Sequence, residues 1–262
     1  MRILVIGGSG VVGRPTAGAL VRRGHTVAVL TRRGSAALPG ARAYAGDLTT
    51  GAGLAEALQD VDAVVDAANV KAMSRTKAVA YFAETTRRLG EQEVAAGVRH
   101  HVVLGIVKSD VVPFPYYAGK IAQERTALAG PVPATVLRAT QLHEFAAQTL
   151  GAMKLGPVSL VPDMTIQPIA AAEVAEALAD VVEAGPGRER APDVAGPRRE
   201  RLPDMARRLV EHRGERRRVV GLPLPGTMGR ALRNGDGLPG PDAVLRGPTF
   251  ADWLRDQPST NR

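Results

Sequence analysis

The chain has no cysteine. Disulfides, thiolate metal sites and cysteine nucleophiles are therefore excluded. Aromatic residues make up only 3% of the 262 positions, too few for a platform on which nucleic-acid bases stack. Long apolar runs are also missing, since none approaches the roughly 20 residues that a membrane-spanning helix requires. The opening "MRILVIGG" runs straight into a patterned strand and does not read as a secretory leader. These features predict a cytoplasmic protein that binds neither membrane nor nucleic acid. A last absence is local: no Asp or Glu occurs before Asp47.

Positive charge is in excess, at +8, but it is carried mostly by scattered arginines. The densest run, "RGERRRVV" at 213–220, has no interleaved aromatics and reads as a solvated surface. The apolar residues that are present fall into a rhythm. Short runs "RILVIGG", "HTVAVLT" (25–31), "ARAYAG" (41–46), "VDAVVDAA" (61–68), "VRHHVVLG" (98–105) and "ATVLRAT" (134–140) read as buried strands. Helical stretches separate most of them, at 11–23, in "GLAEALQD", at 73–97 and in "YYAGKIAQERTALAG". Alternation of this kind predicts an α/β fold with a doubly wound parallel sheet, the Rossmann arrangement. After residue 140 the rhythm loosens into Pro/Gly-rich links, short strands and helices. A single domain is expected, with a dinucleotide-binding core at 1–140 and a small C-terminal α/β lobe on the substrate side at 141–262. Oligomeric state is not legible.

"GGSGVVGRP" lies between the first strand and the first helix. Its glycines fit two registers, G-x-x-G-x-x-G on Gly7, Gly10 and Gly13, or G-x-G-x-x-G on Gly8, Gly10 and Gly13. Either permits a tight turn, with backbone N–H groups, including those near Val11 and Val12, directed at a pyrophosphate. About 20 residues further on, such folds carry an acidic residue for the ribose of NAD or an arginine for the 2′-phosphate of NADP. Here the segment reads "LTRRGS", which makes Arg32 and Arg33 the expected phosphate clamp and NADP(H) the expected cofactor. Asp47 and Leu48 are candidates to border the adenine, although a turn or cap role suits Asp47 equally well. Ala67, Ala68 and Asn69, after the fourth strand, are expected to line the cofactor cleft.

"PYYAGKIAQE" sets Tyr116 four residues before Lys120, on one helix face. A carbonyl that accepts hydride must also receive a proton, and an ammonium near a phenol lowers its pKa toward neutrality. Together "GGSGVVG", the arginines after the second strand, "GDL" after the third and "YYAGK" resemble the short-chain dehydrogenase/reductase (SDR) superfamily over about the first 140 residues. "VVLGIVKSDVVPFPYYAGKIAQE", "LRATQLHEFA" and "TFADWL" resemble its atypical, NmrA-like NAD(P)H-binding members. The resemblance implies Tyr116 as proton donor or acceptor, with Lys120 holding the nicotinamide ribose and tuning the tyrosine. One position departs from the pattern. Where such proteins have "LSI", with a serine that helps hold the reacting carbonyl, this chain has "LGI", with Gly105 in that place. Ser109 replaces that serine only if its loop folds back.

Gln141 and His143 follow the sixth strand, where this fold opens onto its substrate, and are candidate substrate contacts; a polar helix-start role also fits His143. His100 and His101 flank the fifth strand without further ligands at metal spacing, so no metal is expected. The leading expectation is an NADPH-dependent oxidoreductase acting on a carbonyl, quinone or enone of a small apolar molecule. Two alternatives use the same fold: a biosynthetic enzyme for a non-redox dehydration, cyclisation or isomerisation, and a non-catalytic NADP(H)-binding regulator that reports redox state.

Overall fold

A computed structural model describes residues 1–35, 38–70, 74–187 and 189–259. Along the chain run β1 (Arg2–Ile6), α1 (Gly13–Arg22), β2 (Thr26–Thr31), β3 (Ala41–Ala45), α2 (Leu54–Ala57), β4 (Ala63–Asp66), α3 (Arg75–Ala96), β5 (His100–Ile106), α4 (Pro115–Leu128) and β6 (Ala134–Ala139). There follow α5 (Phe145–Ala152), β7 (Lys154–Leu155), β8 (Val158–Pro162), β9 (Thr165–Ile166), α6 (Ala171–Ala184), β10 (Glu189–Arg190), β11 (Val194–Ala195) and β12 (Glu200–Arg201). The last elements are α7 (Leu202–His212), β13 (Arg218–Leu222), α8 (Gly226–Asn234), β14 (Val244–Leu245) and α9 (Phe250–Arg255). Among the described residues no helix is long and apolar enough to cross a membrane.

Contacts divide the chain into two units. The first comprises Met1–Ile106, Pro115–Arg138 and Val174–Pro192. Its sheet runs in the order β6-β5-β4-β1-β2-β3, with β10 beside β6. The pairs β1/β2, β1/β4, β2/β3, β4/β5 and β10/β6 are all parallel. This is the doubly wound α/β sheet that the strand–helix alternation predicts. Both faces of β1 are covered: Leu4 and Ile6 join Leu30, Leu54, Leu58, Val64 and Leu89 in one cluster, while Ile3 and Val5 are fully buried on the other face. A strand buried on both sides has no polar-out positions, which explains the unbroken apolar reading of "ILVI".

Several boundaries shift. The first helix begins at Gly13, because residues 11 and 12 form the turn that precedes it. The helix expected at 73–97 starts at Arg75, where the Ser74 hydroxyl accepts from the Lys77 N–H, and stops at Gly97 in the left-handed region (φ 76°); position 73 lies outside the described residues. "GLAEALQD" forms only the single turn of α2.

The second unit comprises Val107–Phe114, Ala139–Glu173 and Asp193–Arg262. It holds an antiparallel β9/β12 pair and a three-stranded group β13-β8-β7. β11 and β14 pair in parallel. α7 buries Leu202, Met205, Ala206 and Leu209 along one face.

Candidate functional site

Parallel register aligns the carboxyl ends of β1, β2 and β4, since Ile6 pairs with both Leu30 and Asp66. The residues that follow those strands therefore emerge at one edge, the edge at which this architecture binds ligands. The turn after β1 is built on Gly7 and Gly13. Gly7 has φ 74°, and a Cβ there would lie 2.8 Å from the carbonyl oxygen of Ala67. A Cβ on Gly13 would lie 2.2 Å from the Gly7 carbonyl oxygen. Both positions exclude any side chain, and the register Gly7, Gly10, Gly13 is the one that closes the turn. The Gly10 N–H donates to the Gly7 carbonyl at 2.8 Å. Gly8 serves packing instead: a Cβ there would meet the Val29 side chain at 2.6 Å. No side chain caps the start of α1; the Arg14 N–H donates to the Gly10 carbonyl at 3.1 Å, and of the turn residues Val11 is exposed and Val12 buried. The cradle fits a pyrophosphate.

Arg32 and Arg33 are exposed in the turn that follows β2. Asp47 accepts from both the N–H and the hydroxyl of Thr49, at 2.7 and 2.6 Å. These bonds, aided by the charge of Arg32, hold its carboxyl below the usual range. Asp47 is thus engaged as a turn cap. Leu48 is buried in the sheet cluster with Ile6 and Leu30. Ala67 is half-buried, Ala68 buried and Asn69 exposed.

The hydroxyl of Tyr116, in the first turn of α4, donates to Asn69 Oδ1 at 2.7 Å. Burial pushes the phenol well above its ordinary range, with Tyr117, Tyr81 and Asp66 adding to the effect. The direction is opposite to the lowering expected from Lys120, and its first cause is burial of the phenol itself. Lys120 is engaged within the helix. It is 3% exposed, its Nζ donates to Gln123 Oε1, and it lies 5.0 Å from the centroid of the Phe82 ring. Burial brings its pKa down to about 8, against the opposing pull of Asp66 and Glu124. Gln123 Nε2 donates in turn to Asp66 Oδ2 at 2.7 Å, and Asp66 Oδ1 accepts from the Ala68 N–H at 2.9 Å. Asp66 and Gln123 were not singled out from the sequence. Their signals are a carboxylate closing an apolar strand and an amide three residues after Lys120 on the same helix.

Gly105 is enclosed by charge. A Cβ there would lie 2.4 Å from Glu124 Oε1 and 2.9 Å from Arg138 Cγ, atoms of a buried ion pair with Nη2 to Oε2 at 2.8 Å. A serine hydroxyl at this position would enter that pair, which gives no support to Gly105 as a substrate contact. Ser109, Gln141 and His143 belong to the second unit. Ser109 is buried and Gln141 half-buried. The surroundings of His143 favour packing over the expected substrate contact. It is 1% exposed, bonded through Nε2 to the Pro248 carbonyl at 3.2 Å and set against the rings of Phe250 and Trp253 at 5.6 and 5.4 Å. A separate cavity of about 550 Å³ in the first unit is lined by Thr86, Glu93, His101, Arg125 and Pro131 among others, and by none of the expected site residues.

A parallel doubly wound sheet with a glycine turn at its carboxyl edge is the Rossmann arrangement, and on α4 a tyrosine and a lysine stand one helical turn apart. Residues 3–112 match the profile of the NAD dependent epimerase/dehydratase family. The photosystem II assembly factor Ycf39 of Synechocystis sp. (strain ATCC 27184 / PCC 6803 / Kazusa) is 32% identical over 117 residues, 43% of this chain and 36% of that protein. The chain thus matches about a third of that curated relative's length. Among solved structures, MoeE5 in complex with UDP-glucuronic acid and NAD superposes with a TM-score of 0.74 at 18% identity, covering 98% of this chain and 97% of that one. The NADPH-dependent quinone oxidoreductase QOR2 of Escherichia coli, complexed with NADPH, gives 0.69 at 21% identity, covering 97% and 98%. At these identities the structural likeness establishes the fold.

Proposed function

We propose that the protein is an NADP(H)-dependent oxidoreductase that reduces a carbonyl, quinone or conjugated enone of a small, apolar molecule. The observation that carries this reading is the exposed Arg32–Arg33 turn at the end of β2, beside the side-chain-free cradle of Gly7 and Gly13. Guanidinium groups suit a 2′-phosphate by charge and by planar donor geometry. Solved structures that share the fold hold NAD, as MoeE5 does, or NADPH, as the quinone oxidoreductase does, so the arginines carry the choice.

NADPH, when bound, supplies the hydride. The raised pKa of Tyr116 keeps the proton on its oxygen at neutral pH, so the phenol acts as the acid. Asn69 Oδ1 holds that O–H in a defined direction until a substrate oxygen takes its place. Tyr116 then transfers the proton to the oxygen of the reduced carbonyl. Lys120, one helical turn on, would hold the nicotinamide ribose. Tyr116→Phe is expected to lower the rate of NADPH oxidation with a responsive quinone or aldehyde by ~10²–10⁴-fold while NADPH affinity stays near the wild-type value. An unchanged rate would contradict the role given to Tyr116.

One observation favours a second reading, a non-redox dehydration, cyclisation or isomerisation. The carbonyl-holding serine is replaced by Gly105, and the matched family profile includes dehydratases and epimerases. Substrate conversion without net NADPH consumption would select it.

A further inference from the structure

A lysine that is 3% exposed and has no carboxylate in contact among the described residues is costly to keep charged, because a buried ion needs a nearby counter-charge and satisfied hydrogen bonds. From α3, the face of Phe82 lies 5.0 Å from its ammonium. Glu124, on the same helix as Lys120, already serves two cations: Oε1 accepts from Arg138 Nε at 3.0 Å, and Oε2 lies 2.8 Å from Arg138 Nη2 and 3.1 Å from Arg190 Nη2. The remaining counter-charge is Asp66, at the end of β4, which reaches Lys120 through one amide. That amide has a forced orientation. The ammonium only donates and a carboxylate only accepts, so the Gln123 oxygen must face Lys120 and its NH₂ group must face Asp66. An amide dipole aligned between a cation and an anion strengthens both bonds.

We propose that Gln123, anchored on Asp66, is a positioning residue that orients the Lys120 ammonium and couples its charge to the Asp66 carboxylate. The chain Asp66–Gln123–Lys120 joins the end of β4 to α4, and the same Asp66 carboxylate holds the Ala68 N–H. One carboxylate therefore ties the cleft-lining turn after β4 to the lysine. The inference deepens the proposed function, resting on its reading of Lys120 as the group that holds the nicotinamide ribose.

The test titrates Lys120 in the full chain without cofactor, by NMR of ¹³C-labelled lysine. Five lysines are present, and the signal lost in Lys120→Met identifies the right one. The wild-type midpoint is expected near 8. Asp66→Asn keeps the shape but removes the charge, and Gln123→Met removes the amide. Each should weaken proton binding at Lys120 by about tenfold or more, whereas Gln123→Glu should strengthen it. An unmoved midpoint in folded Gln123→Met overturns the relay whatever Asp66→Asn does. The second arm measures NADPH affinity by calorimetry across the same pH range, where wild-type affinity should fall as Lys120 loses its proton and fall at lower pH in Gln123→Met. If the midpoints move as expected and NADPH does not bind, the coupling stands and the cofactor reading fails. If NADPH binds and the midpoints do not move, the relay alone fails.

Discussion

At the scale of single residues, Gly105 is the most informative departure from the SDR pattern that the sequence resembles. A hydroxymethyl group there would collide with Glu124 Oε1 and Arg138 Cγ rather than reach an open cleft. Gly105→Ser is therefore expected to destabilise the protein, by roughly 1–3 kcal/mol if the pair shifts to make room and more if the ion pair breaks. It should not raise activity. A thermal melt beside a turnover assay checks both points, and a faster enzyme with unchanged melting would contradict this geometry. The sequence marks Gly105 as unusual but hides its neighbours, because Glu124 and Arg138 lie 19 and 33 positions further along. Asp66 and Gln123 escape notice for the same reason, being 57 positions apart. Tyr116 and Lys120 are legible because their spacing is local and their chemistry is paired.

At the scale of elements, His143 packs against the Phe250 and Trp253 rings of α9. The Nε2–H of His143 donates to the Pro248 carbonyl, and its buried Nδ1 has no hydrogen-bond partner. Protonation would add a second N–H with nowhere to go, and burial accordingly brings the pKa from 6.5 to about 4. The unfolded chain then takes up a proton first as pH falls, so stability drops between pH 6.5 and 4, by up to about 3 kcal/mol for this group. His100, also brought down to about 4 by burial, adds a loss of the same sign. The single Trp253 reports the event. Its fluorescence should show a lower melting temperature at pH 4.5 than at pH 7, and His143→Leu should lessen that difference. An equal pH dependence in the variant would remove His143 from the account. The helices are legible where Gly or Pro punctuates an apolar period, as in α1, α3 and α4. The two-residue strands β7, β9, β10, β11, β12 and β14 are not. Their existence depends on partners distant in sequence, and a segment of two residues carries no period.

At the scale of the molecule, the parallel sheet of the first unit was legible from six apolar runs, since strands buried on both faces leave an unbroken hydrophobic signature. The second unit was less so, its sheets being short and its links rich in Pro and Gly. What the whole chain is proposed to do depends on the cofactor chosen at the carboxyl edge of the first sheet. Of the two arginines there, Arg32 is the one whose charge reaches Asp47 and Tyr81, and it should contribute more than Arg33. The most direct test is calorimetry of NADPH and NADH binding to the wild type and to Arg32→Ala/Arg33→Ala. The account predicts that NADPH binds the wild type more tightly and that the double variant loses about ten- to a hundredfold of that affinity, the worth of one or two charge-assisted hydrogen bonds, with NADH binding little changed. Equal affinity for the two cofactors in the wild type, or a variant that binds NADPH as well as the wild type does, would contradict it.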